Sequence, residues 1–209
     1  RNIFQLLSSK KIMINRRYLS FSLPSPRKLD EVTSVSKLQQ ESPENISHIW
    51  KTYHSTKGDA DGYVLSSSNY STLLSRAKSC PLFIYPVFKD EGFMWMLSQF
   101  QENFFILTYL EEYKRNPATA SPWLSLHLYS DLVESKDLCL LRSDFLPNLD
   151  KKSAKLVSKM IITTYTDPTD SYFRFIRTFN KDPGSFNVDE CLASLKTIEL
   201  DEDDEINKS

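Results

Sequence analysis

The sequence predicts an α+β fold: a single domain with a largely antiparallel central sheet, a three-strand meander plus further strands, packed by flanking helices. Three observations predict it. Apolar residues recur at helical spacing across residues 46–53 and 70–77, and again beyond residue 150. Between these blocks lie aromatic-rich runs of strand length separated by short polar turns. Helices therefore sit at both ends of a central block of strands, without the strand–helix alternation of a parallel sheet.

The elements follow in order. Ser42-Pro43-Glu44 supplies an N-cap, a proline at the first helical position and an early acid. Ile46, Ile49, Trp50 and Tyr53 then fall at i, i+3, i+4 and i+7, which predicts an amphipathic helix ending before Gly58. A second helix starts after Ser68, where Tyr70, Leu73, Leu74 and Ala77 repeat that spacing, and Cys80-Pro81 ends it. Residues 82–88, 93–100 and 104–110 read as a meander, with turns at Lys89-Asp90-Glu91-Gly92 and Gln101-Glu102-Asn103. Pro86 cannot donate a ladder hydrogen bond, so its strand lies at an edge or carries a bulge. Residues 124–129 and 138–142 add two strands around a helical turn at 130–135. Helices follow at 150–163, around Tyr172, Phe175, Ile176 and Phe179, and at 188–195, the last capped by Asn187.

The ends of the chain differ from its middle. Residues 1–29 carry seven basic side chains and no acid before Asp30. Residues 199–205 hold six acids in seven positions. The head is basic and serine-containing, and Ile3, Leu7 and Ile14 share one helical face, as in a mitochondrial presequence. Arg17-Tyr18-Leu19-Ser20 suits matrix processing, with cleavage near Leu19/Ser20. The expected organisation is a targeting presequence at 1–19, a flexible linker at 20–42, one domain at 43–197 and an acidic disordered tail at 198–209. The expected compartment is the mitochondrial matrix.

Composition excludes several classes. The 209 residues include four glycines, and no two of them form a GxGxxG or GxxxxGK[ST] loop, which argues against a glycine-dependent nucleotide site. No stretch approaches the roughly 20 apolar residues of a spanning helix, so no membrane insertion is expected. Loss of the five basic residues in 1–19 leaves an acidic remainder that repels phosphate backbones, against nucleic acid as partner. Three widely spaced cysteines, with no CxxC pair, suit a reducing compartment.

Catalytic and metal motifs are weak. Asp59-Ala60-Asp61-Gly62 lacks the spacing of a calcium loop and reads as an ordinary loop. His48 and His54, six apart, would face different directions on a helix, so neither reads as a metal ligand. Asp167-Pro168-Thr169-Asp170 reads as a turn leading into a helix rather than a pair of catalytic carboxylates. A Cys80–His127 dyad would make the chain a small thiol enzyme, and that alternative stays open here. No cofactor, metal or small-molecule substrate is expected.

The unusual feature is Phe93-Met94-Trp95-Met96-Leu97, which puts apolar side chains on both faces of one strand. Either helices cover both faces, or one face is a docking patch of adaptable methionine and aromatic side chains.

Ile49-Trp50-Lys51-Thr52-Tyr53 and Ala77-Lys78-Ser79-Cys80-Pro81-Leu82-Phe83 resemble the signature of a mitochondrial family, the assembly factor 1 proteins of ATP synthase. The likeness continues through Leu128-Tyr129-Ser130-Asp131-Leu132 and Ser135-Lys136-Asp137-Leu138-Cys139-Leu140-Leu141, then to Thr164-Tyr165, Phe179-Asn180 and Phe186-Asn187. It departs where the family usually has Gly-Ile-Val-Leu-Met and this chain has Asp137-Leu138-Cys139-Leu140-Leu141. The family often has an acid shortly after that strand, a place Asp144 can fill. The resemblance implies a non-enzymatic matrix chaperone that holds the free β subunit of the ATP synthase catalytic sector and yields it to the α subunit. The expected partner-binding residues are Phe93, Met94, Trp95, Met96 and Phe100. A scaffold for another matrix complex is the remaining alternative.

Overall fold

A computed structural model describes residues 27–199. The expected presequence, its cleavage point and nearly all of the acidic tail lie outside the described residues.

Among the described residues, strands β1 (Ala60–Ser66), β2 (Leu82–Lys89), β3 (Gly92–Gln101), β4 (Phe104–Tyr109), β5 (Pro122–Tyr129) and β6 (Leu138–Phe145) form one sheet. Its order is β1-β6-β5-β4-β3-β2, and each neighbouring pair is antiparallel. This is the α+β arrangement that the sequence predicts. The helices are α1 (Leu29–Val32), α2 (Val35–Leu38), α3 (Pro43–Ser55), α4 (Ser67–Ser79), α5 (Leu110–Arg115), α6 (Val133–Lys136), α7 (Lys151–Thr166), α8 (Phe173–Lys181) and α9 (Val188–Leu195).

The meander β2 to β6 returns the chain to β1, which entered at the opposite edge. Crossing five strand spacings takes about 24 Å, and the 13 residues of α4 reach about 20 Å. That helix carries the chain from one edge to the other, and its Leu73 and Ala77 are buried in the main core. Pro86 lies on β2, an edge strand as predicted. Beside it the Asn180 side chain accepts from the Leu82 N–H at 3.2 Å and donates to the Leu82 carbonyl at 2.6 Å. A side chain thus occupies that part of the edge, which would otherwise offer unpaired backbone groups.

The register divides the sheet into two faces. Tyr85, Met96, Phe105, Leu126 and Leu141 point to the first face, Trp95, Ile106, His127 and Arg142 to the second. Helices α4, α7, α8 and α9 supply the apolar partners of the first face. Internal hydrogen bonds fix this packing: Tyr85 Oη to Thr164 Oγ1 at 2.8 Å, and Tyr165 O–H to the Cys80 carbonyl at 2.7 Å. Arg76 donates to the carbonyls of Tyr165 and Asp167 at 3.1 and 2.8 Å, satisfying the end of α7 with a cation suited to its dipole.

Capping sets the helix starts. Ser42, Ser66, Asp150 and Asn187 each accept a backbone N–H three residues on. Asp167 likewise accepts from the N–H groups of Thr169 and Tyr172, both at 2.9 Å, and organises the turn before α8.

The structure corrects three expectations. Residues 60–62 are not a loop but the start of β1, and Asp61 points into the first-face core with Lys155 Nζ at 3.9 Å. Residues 110–115 leave the sheet as α5, which packs back over β3 and β4. Residues 29–38, expected within a flexible linker, form α1 and α2, with Leu29 and Leu38 buried against Trp50, Tyr129 and Leu140.

Candidate functional site

The expected partner-binding residues separate along β3. Met96 is fully buried and Phe100 nearly so; both belong to the main core, because the register turns them toward α7 beside Tyr85 and Phe105. They are not surface residues, and that part of the expectation is overturned. Met94 is half-buried against the same core. Phe93 and Trp95 lie on the second face at the turn end of the β2–β3 hairpin. Phe93 is 43% exposed, with its ring 5.3 Å from Trp95 and 6.5 Å from Phe88, both edge-on. The Lys196 ammonium stands 5.9 Å from the Phe88 ring.

Two further residues join them. The large hydrophobics exposed among the described residues are Ile49, Tyr53 and Phe93. Ile49 and Tyr53 lie one turn apart on the outer side of α3, and Lys57 stands 4.5 Å from the Tyr53 ring. Helix α3 packs on the second face, so all three exposed hydrophobics lie on the same side of the sheet. The first-face helices present none.

On β5 and β6, beside α3, the second face carries a polar strip. Arg142 on β6 makes a forked ion pair with Asp144, with Nη2–Oδ1 at 2.7 Å and Nε within 3.0 Å of both oxygens. His127 and Ser125 stand opposite them on β5, and His127 Nε2 lies 3.0 Å from Ser125 Oγ. The rings of Phe104, His127 and Tyr129 form a row at 5.3 and 6.5 Å, and Tyr129 meets Trp50 at 6.1 Å. Burial holds His127 below the ordinary imidazole range. Sequence reasoning missed this strip, although its signal was present: Ser125, His127 and Tyr129 at alternate positions, then Arg142 and Asp144.

The Cys80–His127 alternative does not assemble. Cys80 precedes edge strand β2, three strand spacings from β5, or about 14 Å, and it is buried in the main core. His127 faces the other side. The other two thiols are buried as well, and burial pushes Cys139 and Cys191 up to about 12.

Asp137 shows what the departure from the family pattern means. It ends α6 in the left-handed region, φ 58° and ψ 25°, where glycine is the residue of least strain. Aspartate tolerates that conformation, and its carboxylate here accepts from Ser67 Oγ at the start of α4.

The ATP11 protein family model matches residues 8–192. The chain belongs to the ATP11 protein family. Within the family it is 28% identical over 173 residues to ATP synthase mitochondrial F1 complex assembly factor 1 of Danio rerio, covering 80% of this chain and 56% of that protein. The Mus musculus protein of the same name is 21% identical over 196 residues, 93% of this chain and 60% of that one. Protein atp11, mitochondrial, of Schizosaccharomyces pombe is 25% identical over 161 residues, 74% and 54% respectively. The chain therefore spans little more than half the length of these ATP11 relatives.

Proposed function

We propose that this ATP11 family chain is a mitochondrial assembly chaperone that binds the unassembled β subunit of the ATP synthase catalytic sector, prevents its aggregation and yields it to the α subunit. It acts by binding, without enzymatic chemistry, in the matrix, and residues 1–19 serve as the targeting presequence. The observation that carries this reading is family membership across residues 8–192, together with the assembly-factor names of the relatives. The acid-free, basic character of the head supports the compartment.

Physical chemistry supports the mode of action. An unassembled subunit presents apolar interface that aggregates unless it is covered. A holding protein needs an apolar centre with a polar rim, firm enough to shield and weak enough to release. Phe93 and Trp95 at the hairpin end, with Lys196 near Phe88, give one apolar patch, and Ile49 and Tyr53 on α3, with Lys57 beside them, give a second toward the opposite edge of the sheet.

The test is a mixing assay. Purified β subunit diluted from denaturant should scatter less light in the presence of this chain than with an inert protein, and added α subunit should displace the chain. Equal scattering in both would sink the proposal.

A further inference from the structure

The second face hides more apolar surface than it shows. Leu29 and Leu38 come from the segment before α3, Ile46 and Trp50 from α3 itself. With Tyr129 and Leu140 they belong to a buried cluster that shares no residue with the main core. Residues 29–55 therefore form a separate layer, held to the sheet by their own contacts.

The seating of that layer is close but poorly bonded. A Cβ at Gly62 of β1 would lie 2.7 Å from His54 Nδ1 and 2.9 Å from Trp50 Nε1, so α3 rests directly on strand backbone. In the seam His54 is fully buried, and its Nε2 has no hydrogen-bond partner. Such an orphaned polar atom weakens the closed state relative to a solvated one. Polar ties between described residues hold the layer. Trp50 Nε1 donates to the Leu141 carbonyl at 2.9 Å, and Lys136 Nζ to the Glu41 carbonyl at 2.8 Å. Lys151 Nζ donates to the carbonyls of Ser55 and Lys57, to Ser55 at 2.8 Å. The Lys151 tie pins the end of α3 next to Gly58, a glycine with open space around its Cβ position. The far end, at residues 29–41, has the lysine tie from α6 and two buried leucines.

We infer that residues 29–55 are a hinged cover that turns about residues 56–59 and lifts from β1, β6 and β5, and that the surface it uncovers takes an apolar segment of the unassembled subunit. The uncovered surface is Tyr129 and Leu140 on the sheet, with Ile46 and Trp50 on the cover. Closed, the described residues expose three large hydrophobics, few for a protein that must shield an interface. Opening supplies the remainder only when a partner is there to bind it, by population shift toward the open form. The occupant rests on the proposed function; the cover itself does not.

Hydrogen exchange read by mass spectrometry on the full chain tests the cover. Residues 29–55 should lose protection together, ahead of β4 and β5. Gly62→Ala, which wedges α3 off β1, should speed exchange there at least tenfold and raise ANS fluorescence, with β2–β5 unchanged. Lys136→Met cuts one tie without a wedge and should speed exchange of residues 29–41 about two- to fivefold, so the test survives if Gly62→Ala does not fold. Exchange of residues 29–55 in step with β4 and β5, in both the unmodified chain and Lys136→Met, would overturn the cover.

The second arm adds β subunit diluted from denaturant. Gly62→Ala should suppress scattering at less chain per β subunit than the unmodified protein needs. If the unmodified chain suppresses scattering and the variant does no better, the occupant is wrong. If neither suppresses it while exchange shows the cover lifting, the proposed function fails and the cover stands.

Discussion

The two faces of the sheet are closed by different chemistry. On the first face, large side chains such as Phe105, Tyr85 and Tyr165 interlock, and the Tyr85 and Tyr165 hydroxyls have defined partners while those of Tyr63, Ser98, Ser143 and Ser158 have none among the described residues. On the second, a small apolar cluster lies beside a strip of Arg142, Asp144, His127 and Ser125, and one imidazole nitrogen goes unbonded. The first face carries most of the large buried side chains; the second carries the exposed apolar residues and the proposed cover. Binding surfaces are drawn from the less stable parts of a molecule, because those parts can rearrange without loss of the whole.

Substitutions can break this contrast. The largest effect should come from the first face: Phe105→Ala should lower unfolding free energy by about 3–5 kcal/mol, read from denaturant melts, with protection lost throughout the sheet. Leu29→Ala should cost about 2–3 kcal/mol, seen in exchange as an opening confined to residues 29–55. If protection fell equally in β4 and β5, the two faces would be one cooperative unit.

Acid should separate the faces next. His54 and His127 both belong to the second face, and burial holds each below the ordinary imidazole range. Their unfolded forms therefore bind protons first. The stability they contribute is complete above about pH 6.5. It is lost as pH falls below that value, by at most about 1.4 kcal/mol per pH unit for each group. Melts from pH 8 to 5 should show this loss, and His54→Gln should reduce its slope. Asp150, held down to about 2 despite partial burial by the Ser153 N–H and Lys89, adds a separate loss only below about pH 4.

The smallest effect on stability should be at Phe93. Phe93→Ser should change unfolding free energy by less than about 0.5 kcal/mol while weakening the proposed capture of the β subunit. A large stability loss would place Phe93 in the core instead of on the proposed docking side.

Much of the fold was legible because its periodicities are long. Ile46 to Tyr53 and the three meander runs each carry enough repeats to fix their type, and Asn187 marked the start of α9 correctly. Strand β1 was not legible: Ala60-Asp61-Gly62 has the composition of a loop, and it is a strand because β6, far along the chain, pairs with it. Helices α1 and α2 are single turns with no period, ordered by what Leu29 and Leu38 touch. The candidate site was half legible. Alternation tells which of Phe93 to Phe100 share a face, but not which face α7 covers, and so Met96 and Phe100 stand among the expected partner-binding residues although they are core.

The pairing of β1 with β6 also sets a kinetic requirement. Strand β1 bonds only to β6, so it has no strand neighbour until residues 138–145, themselves paired with β5, are in place. Contacts of such long sequence separation slow folding. A chain that leaves a ribosome or a translocation pore with its N-terminal side first must hold β1 unpaired until β6 has emerged.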